Sequence, residues 1–191
     1  MRTARATASG APRPLARYNA LPMLLSYVTR IGLTAARASL APRIQVLEEF
    51  RMPMRVWPTD LDVYGHVNNG VYLTLMDHGR LAHWIRTGLF RESIPRRWIP
   101  VLGGGSVRYL RELKLFQRFE LVTALRHWDD KWFFFEQRFE RDGHVHAVGH
   151  VMGVVKKGRT TIPPAELLAT VGFTGDPPPP SLEMSALRAS W

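Results

Sequence analysis

The 191-residue chain contains no cysteine. That absence excludes disulfides, thiolate nucleophiles and every zinc or iron–sulfur site built on cysteine. Apolar runs of the roughly 18–20 residues needed to span a membrane are also missing, because Arg30 and Arg37 interrupt the apolar stretch near the N-terminus. The third absence is of acid. The first acidic residue is Glu48, while the segment before it carries Arg2, Arg5, Arg13, Arg17, Arg30, Arg37 and Arg43. Of the formal charge of +10, those arginines supply seven, and the rest of the chain holds 19 basic against 16 acidic side chains. A near-balanced body with a basic leader is not the profile of a dedicated nucleic-acid-binding domain, so no nucleic-acid partner is expected. What is present is enough apolar material for a core: 46% hydrophobic and 10% aromatic residues exclude global disorder.

The chain divides into four parts. Residues 1–19, made largely of Arg, Ala, Ser, Thr and Pro, form a basic leader that cannot pack and is expected to be disordered. Residues 20–43 read as an amphipathic helix, with Leu21, Leu24, Leu25, Val28 and Ile31 at three-and-four spacing and Pro42 as its stop. Three roles stay open for it: packing on its own domain or a partner subunit, lying on an anionic membrane surface, or serving as an organellar transit signal. Residues 44–173 are the main domain, and residues 174–191 a Pro-rich tail expected to be disordered.

The main domain opens with a strand-like stretch, Ile44 to Trp57, and a polar loop, Thr59 to Asn69. Val71, Leu75, His78, Leu81, Ala82 and Ile85 then recur at helical spacing from about Gly70 to Arg86, and Thr87-Gly88 supplies a stop. Extended segments follow: Trp98–Leu113, Phe119–Trp128, Trp132–Arg141 and His144–Lys157, the last two joined by the hairpin pair Asp142-Gly143. Val145, Ala147, Gly149, Val151, Gly153 and Val155 share a face whose small residues leave room for a large object, and the apolar helix is the one available. Pro163-Pro164 starts a short last helix. The predicted class is α+β, a curved antiparallel sheet wrapped around one long central helix.

The loop before that helix carries the chemistry. Asp62 precedes a helix N-terminus, Gly65 permits a tight backbone path, and His66, Asn68 and Asn69 cluster with them. Unpaired N–H groups at a helix start suit a developing oxyanion, and a carboxylate beside them can act as general base or nucleophile. The alternative from spacing alone is that Asp62, Asn68 and Asn69 are capping residues that fix a turn.

The run Asp62-Val63-Tyr64-Gly65-His66-Val67-Asn68-Asn69-Gly70-Val71-Tyr72-Leu73, followed by Asp77 and Arg80, resembles the signature of hotdog-fold thioesterases of the 4-hydroxybenzoyl-CoA thioesterase type, nearest the thioesterase superfamily member 6-like branch. Pro58 to Asp62, Arg108 to Phe116 and Trp128 to Lys131 share that likeness, which covers about Ile44 to Val155. The resemblance implies an acyl-CoA thioesterase acting on a fatty or aromatic acyl group, with no cofactor and no metal. On it Asp62 is the catalytic carboxylate, the N–H near Asn69 polarises the thioester carbonyl, and Asn68 and His66 shape the pocket or orient water. Gly65, Tyr72, Arg108 and Arg111 are the implied substrate-binding residues, the two arginines facing CoA phosphates. A homodimer or tetramer, a cytoplasmic location and, as the alternative, peripheral membrane contact through the N-terminal segment complete the expectation. The rival role is a non-catalytic hotdog module that binds acyl groups or scaffolds at a membrane surface.

Other patterns read as structure. Gly103-Gly104-Gly105 lacks a phosphate-loop continuation and marks a bulge or a close backbone approach. His144, His146 and His150 share a strand face with no acidic partner at metal spacing, His78 and His83 are packing or pocket residues, and Asp77 and Arg80 form a local helix pair.

Overall fold

Alternating apolar and polar residues in the second half of the chain build an antiparallel sheet, and one helix lies in its curl. The computed structural model describes residues 21–190; the leader expected over residues 1–19 lies outside the described residues. In chain order come α1 (Leu21–Leu40), β1 (Phe50–Arg55), a 3-10 turn (Pro58–Asp60), α2 (Asn69–Arg86) and α3 (Leu89–Arg96). They are followed by β2 (Ile99–Tyr109), β3 (Arg118–Trp128), β4 (Phe133–Arg141), β5 (His144–Lys157), β6 (Thr160–Ile162), α4 (Pro164–Ala169) and α5 (Leu182–Ala189). The strands lie in the order β1-β3-β4-β5-β2, with β6 added to β5. Asp142 and Gly143, both at positive φ, turn β4 into β5, the backbone a two-residue hairpin loop demands. The expected bulge in the glycine triplet is present, since the β2–β5 register shifts between Leu102 and Gly104.

On the inner face Phe133, Phe135 and Phe139 join Leu121, Leu125, Ala147 and Val151 in one buried cluster with Tyr72, Leu75 and Met76 of α2. Two glycines set how close the helix comes. A Cβ on Gly149 would fall 2.3 Å from Met76 Cε, so the methionine occupies space that the strand leaves vacant. A Cβ on Gly79 would fall 2.4 Å from Thr123 Oγ1 and 2.7 Å from Gln137 Nε2. Gln137 is fully buried, and its Nε2 donates to the Met76 carbonyl and to Thr123 Oγ1, each at 2.9 Å. Its Oε1 accepts from Arg80 Nη1 at 2.6 Å. This is the hotdog arrangement.

Three expectations are corrected. The strand expected from Ile44 begins only at Phe50; Ile44 N–H donates to the Arg86 carbonyl, so this stretch ties to the end of α2, and the strand proper is an edge that tolerates Pro53. A second helix, α3, follows α2 directly, hidden in the sequence because Gly88 (φ 86°) precedes it and Pro95 lies inside it. The tail expected to be disordered carries α5, capped by Ser181 and anchored by Met184, which is 2% exposed among Trp132, Phe134, Met152 and Val154. Those side chains on the outer face needed an apolar cover, and Arg188 pins it through Asp129 at 2.7 Å.

The helix α1 packs on α2. Thr34 Oγ1 and His78 Nδ1 are 3.2 Å apart, and Ala38 is buried with Ile44, Phe50 and Ala82. Burial holds His78 neutral, its pKa pushed down to about 4. The far side of α1 leaves Leu24, Leu25 and Val28 more than half exposed.

Two stability measurements follow. In Gly79→Ala the gain in helix propensity, up to about 1 kcal/mol, is outweighed by overpacking of about 1–3 kcal/mol. The variant is expected to melt lower by about 2–4 °C per kcal/mol of net loss, and an unchanged melting temperature would contradict the close approach. On the outer face Glu136 is held far below its ordinary value, at about 2, by its hydrogen bond to His150 and then by the Arg138 and Arg126 guanidiniums. A lowered carboxyl pKa stabilises the fold above its unfolded value of 4.5, and the benefit is lost as pH falls through about 2. Urea unfolding of Glu136→Gln should therefore show a shallower loss of stability between those pH values than the parent chain.

Candidate active site

The path into the loop is set by a buried acid. Asp60 is 4% exposed; its Oδ2 accepts from Trp57 N–H at 2.9 Å and its Oδ1 from Arg30 Nη1 at 2.6 Å. The first contact closes the 3-10 turn, and the second fastens that turn to α1. The Asp60 carbonyl then accepts from Asn68 N–H at 2.8 Å, so both ends of the intervening loop meet at one residue. Sequence reasoning passed Asp60 over; the signal for it was an acid two residues after proline, the last residue of a one-turn helix.

Between those ends the chain doubles back. Asp62 N–H donates to the His66 carbonyl at 2.8 Å, Gly65 N–H donates to the Asp62 carbonyl at 3.2 Å, and Gly65 stands at φ 80°, where a side chain would be strained. The Asp62 carboxylate turns inward on this loop. Its Oδ1 accepts from Tyr64 N–H at 2.9 Å and from His66 N–H at 3.3 Å, while its Oδ2 has no hydrogen bond among the described residues. Asp62 therefore lies seven residues before α2 and is held by loop amides, where helix amides had been expected. Val63 and Tyr64, at 93% and 80% exposed, form an apolar tip beside it.

Asn68 caps α2, its Oδ1 accepting from Gly70 N–H at 2.9 Å. Asn69 is the first helical residue; its N–H makes no hydrogen bond among the described residues, and its carbonyl accepts from the Tyr109 hydroxyl at 2.9 Å. Tyr72, one turn on, is buried between Tyr109 and Phe139, with ring centroids at 5.1 and 4.8 Å. Burial pushes its hydroxyl up to about 12, so it stays protonated. His66 meets the segment after β2: its Nε2 is 2.7 Å from Glu112 Oε2, and Lys114 closes on the same carboxylate at 2.6 Å. The hydrogen bond from Lys114 holds the Glu112 carboxyl below its ordinary range.

Asp62, Gly65, His66, Asn68, Asn69 and Tyr72 thus belong to one hydrogen-bonded junction of loop, helix start and the end of β2. The two arginines part company. Arg111 is exposed next to Glu112 and remains beside the junction. Arg108 alternates with Tyr109 along β2 and so takes the opposite face, where its charge acts on Glu183 of α5. Further along α2 an apolar cleft of about 210 Å³ is lined by Leu81, Trp84, Pro100, Leu102, Phe133 and Val154, with Asp77 and Arg80 among its walls. Asp77 lies eight residues past Asn69, or about 12 Å along the helix axis. Among the described residues no three His, Asp or Glu side chains gather as a metal site.

Residues 56–182, well over half of the chain, match the thioesterase-like superfamily. Protein THEM6 of Xenopus laevis is 39% identical over 134 residues, 66% of this chain and 65% of that protein. The chain therefore spans just under two thirds of that relative's length. Among solved structures, a gentisyl-coenzyme A thioesterase superposes with a TM-score of 0.55 at 23% identity, covering 64% of this chain and 98% of its own. A Staphylococcus aureus hypothetical protein solved in complex with CoA superposes with a TM-score of 0.57 at 16% identity, covering 73% and 92%. These last two speak to the fold. The family match starts at Val56, runs through the 3-10 turn, the Asp62 loop and α2, and continues across the remaining sheet to α5, and on that ground the chain belongs to the thioesterase-like superfamily.

Proposed function

We propose that this chain hydrolyses acyl-CoA thioesters with Asp62 as the reacting carboxylate. The observation that carries the reading is the state of that side chain: Oδ1 is fixed by two backbone amides and Oδ2 is left with a lone pair to use. Asp62 either takes a proton from water, whose oxygen attacks the thioester carbonyl, or attacks that carbon itself. In both cases the carbonyl oxygen becomes an oxyanion, for which the uncommitted N–H of Asn69 at the start of α2 is the available donor. Where water attacks, collapse breaks the C–S bond, the thiolate of CoA leaves and takes up the proton held by Asp62, and the acyl group ends as a carboxylic acid; where Asp62 attacks, the same collapse leaves an acyl–Asp62 anhydride, which water then hydrolyses to the carboxylic acid and free Asp62. His66, held by Glu112, and Asn68, held by its cap, position the loop and the water. Gly65 gives the loop its turn, Tyr72 packs beneath, and Arg111 meets the CoA phosphates. The apolar cleft along α2 suits a fatty or aromatic acyl group.

A second copy belongs to this reading. The edge strand β2 leaves Ile99, Val101 and Leu102 at 61, 42 and 49% exposed beside an unpaired edge, a surface that soluble proteins ordinarily cover. Pairing through it gives a homodimer, or a tetramer by a further contact, and brings covering residues to the cleft. The location is cytoplasmic, with membrane association as the alternative; no described helix is long and apolar enough to cross a membrane. The exposed Leu24, Leu25 and Val28 of α1 favour peripheral contact, and they are also what a non-catalytic scaffold at a membrane surface would use.

Acyl-CoA hydrolysis across a series of acyl lengths tests the enzyme. Asp62→Asn is expected to lower kcat by about 10²–10⁴-fold at an unchanged melting temperature. A folded parent chain without turnover on any member would leave the scaffold role standing, and full activity in Asp62→Asn would remove the residue assignment. Val101→Glu puts a charge on the apolar edge and should shift the chain to monomer in light scattering after size exclusion. Retention of the parent's mass would rule out that edge as the interface.

A further inference from the structure

One face of α2 leads from the start of the helix to the apolar cleft. Asn69, Leu73, Asp77, Arg80 and Trp84 recur at three-and-four spacing, so they form a single stripe along the helix. Leu73 is 40% exposed and makes an apolar step between the open N–H of Asn69 and the acid at Asp77. From Asp77 onward the stripe becomes one wall of the cleft of about 210 Å³, faced by Phe90, Pro100, Leu102 and Phe133.

An ion pair stands where the stripe enters that cleft. Asp77 and Arg80 are the only charged side chains lining it among the described residues. Arg80 donates to Gln137 Oε1 at 2.6 Å and to Asp77 Oδ1. A guanidinium has five N–H donors and a carboxylate has two oxygens, so the pair keeps capacity. Asp77 Oδ2 has no hydrogen bond among the described residues, and the Asp77 side chain is 48% exposed. The pair also selects what it can hold. A further cation would meet Arg80 and a further anion would meet Asp77. A hydroxyl carries no charge, donates to the carboxylate oxygen and accepts from a guanidinium N–H.

We propose that Asp77 and Arg80 form a subsite for a hydroxyl group in the middle of a long acyl chain. The proposal rests on the thioesterase reading and narrows its substrate to a mid-chain hydroxyacyl thioester. Two lengths fix where the hydroxyl falls. Asp77 lies about 12 Å past Asn69 along the helix axis, and an extended chain advances about 1.2 Å per bond, so the hydroxyl sits on about the tenth carbon. A cavity of about 150 Å³ takes the six carbons of benzene, so a cleft of about 210 Å³ takes about eight carbons beyond Asp77. The chain then has about eighteen carbons in all. A hydroxyl on the far side of a benzoyl ring reaches only about half as far from the thioester carbonyl and stops short of Asp77.

The test uses the full chain with octadecanoyl-CoA, 10-hydroxyoctadecanoyl-CoA and 10-methoxyoctadecanoyl-CoA, each below its micelle concentration. The hydroxylated substrate is expected to show a kcat/KM at least about tenfold above that of the plain chain, the size of a hydrogen bond to a charged group. The methoxy compound cannot donate to Asp77 and should lose that preference in the parent chain, a readout that needs no variant. Asp77→Asn keeps an acceptor for Arg80 and removes the charge, and its preference for the hydroxyl should fall to within about twofold. Equal kcat/KM for the three substrates in the parent overturns the proposal and leaves the enzyme standing. A preference that the methoxy compound or Asp77→Asn retains overturns it as well. Where none of the three is hydrolysed they serve as ligands in titration calorimetry. Binding of the hydroxylated chain at least about tenfold tighter than the plain one, lost in Asp77→Asn, then supports the subsite while the hydrolysis reading falls. Equal binding of the two chains removes both.

Discussion

Everything in this fold hangs on how closely α2 can approach the sheet. At Gly79 the helix backbone comes so near that a methyl group has no room between it and Thr123 and Gln137. Gln137 converts that proximity into a fixed register. Its amide is fully buried and spends both of its ends, donating to the Met76 carbonyl and Thr123 and accepting from Arg80. A buried amide left unpaired would cost about 1–3 kcal/mol, so sliding or rotating the helix by one residue is opposed by polar as well as apolar terms. Arg80 is part of the same lock: burial pulls its guanidinium below the usual value, the Asp77 carboxylate opposes that pull, and the guanidinium donates to Gln137 Oε1. The position of Asn69, and with it the open start of α2, follows from this seam ten residues away.

Two aspartates in the loop show how the scaffold divides labour between identical side chains. Asp60 is sealed between Trp57 N–H and Arg30, and both of its oxygens are occupied. Removing Arg30 would leave a buried carboxylate without its countercharge, which is the expensive way to break a buried pair. Asp62, two residues later, keeps partial solvent access and has one oxygen without a hydrogen bond among the described residues. Rigidity for the second comes from the first, because Asp60 anchors both the turn that precedes the loop and, through Asn68, the residue that ends it. Of the two carboxylates, one is wholly committed to structure and the other keeps an oxygen without a hydrogen bond among the described residues.

How much of this was legible in the sequence depends on whether the signal was local. The helix expected from about Gly70 to Arg86 is α2 at Asn69–Arg86, and the Asp142-Gly143 hairpin and the inward face of Phe133, Phe135 and Phe139 also emerge where periodicity and turn chemistry put them. Local composition misled where a contact from elsewhere decided the outcome. The short helix α5 sits in a Pro-rich stretch and exists because Trp132, Phe134 and Met152 on the outer face require a cover. Gln137 reads as one polar residue in a strand, and nothing nearby in sequence says that it meets Met76 from 61 positions away. Arg108 illustrates the same limit at the site: the resemblance implied that it meets CoA phosphates together with Arg111, whereas the alternation of β2 sends it to the other face.

The positive charge changes meaning once α1 is seen in place. Counted along the chain, seven arginines belong to an acid-free leader and the rest to a nearly balanced body. In space that division dissolves. Arg30 is withdrawn from the surface to neutralise Asp60, so a cation of the leader is spent inside the body. Three of the body's acids are committed in the outer-face ladder where Glu49, Glu136 and Glu140 meet Arg126, Arg138 and Arg51. Near-neutrality of the domain is therefore an average over paired charges and over cations without an ion pair among the described residues. Net charge could not separate them, because it is blind to which carboxylates are already taken. The field that an approaching anion meets is set by the unpaired remainder, which includes Arg37, Arg55 and Arg118 on the α1 and β1 side and Arg108, Arg111, Lys157 and Arg159 elsewhere on the domain.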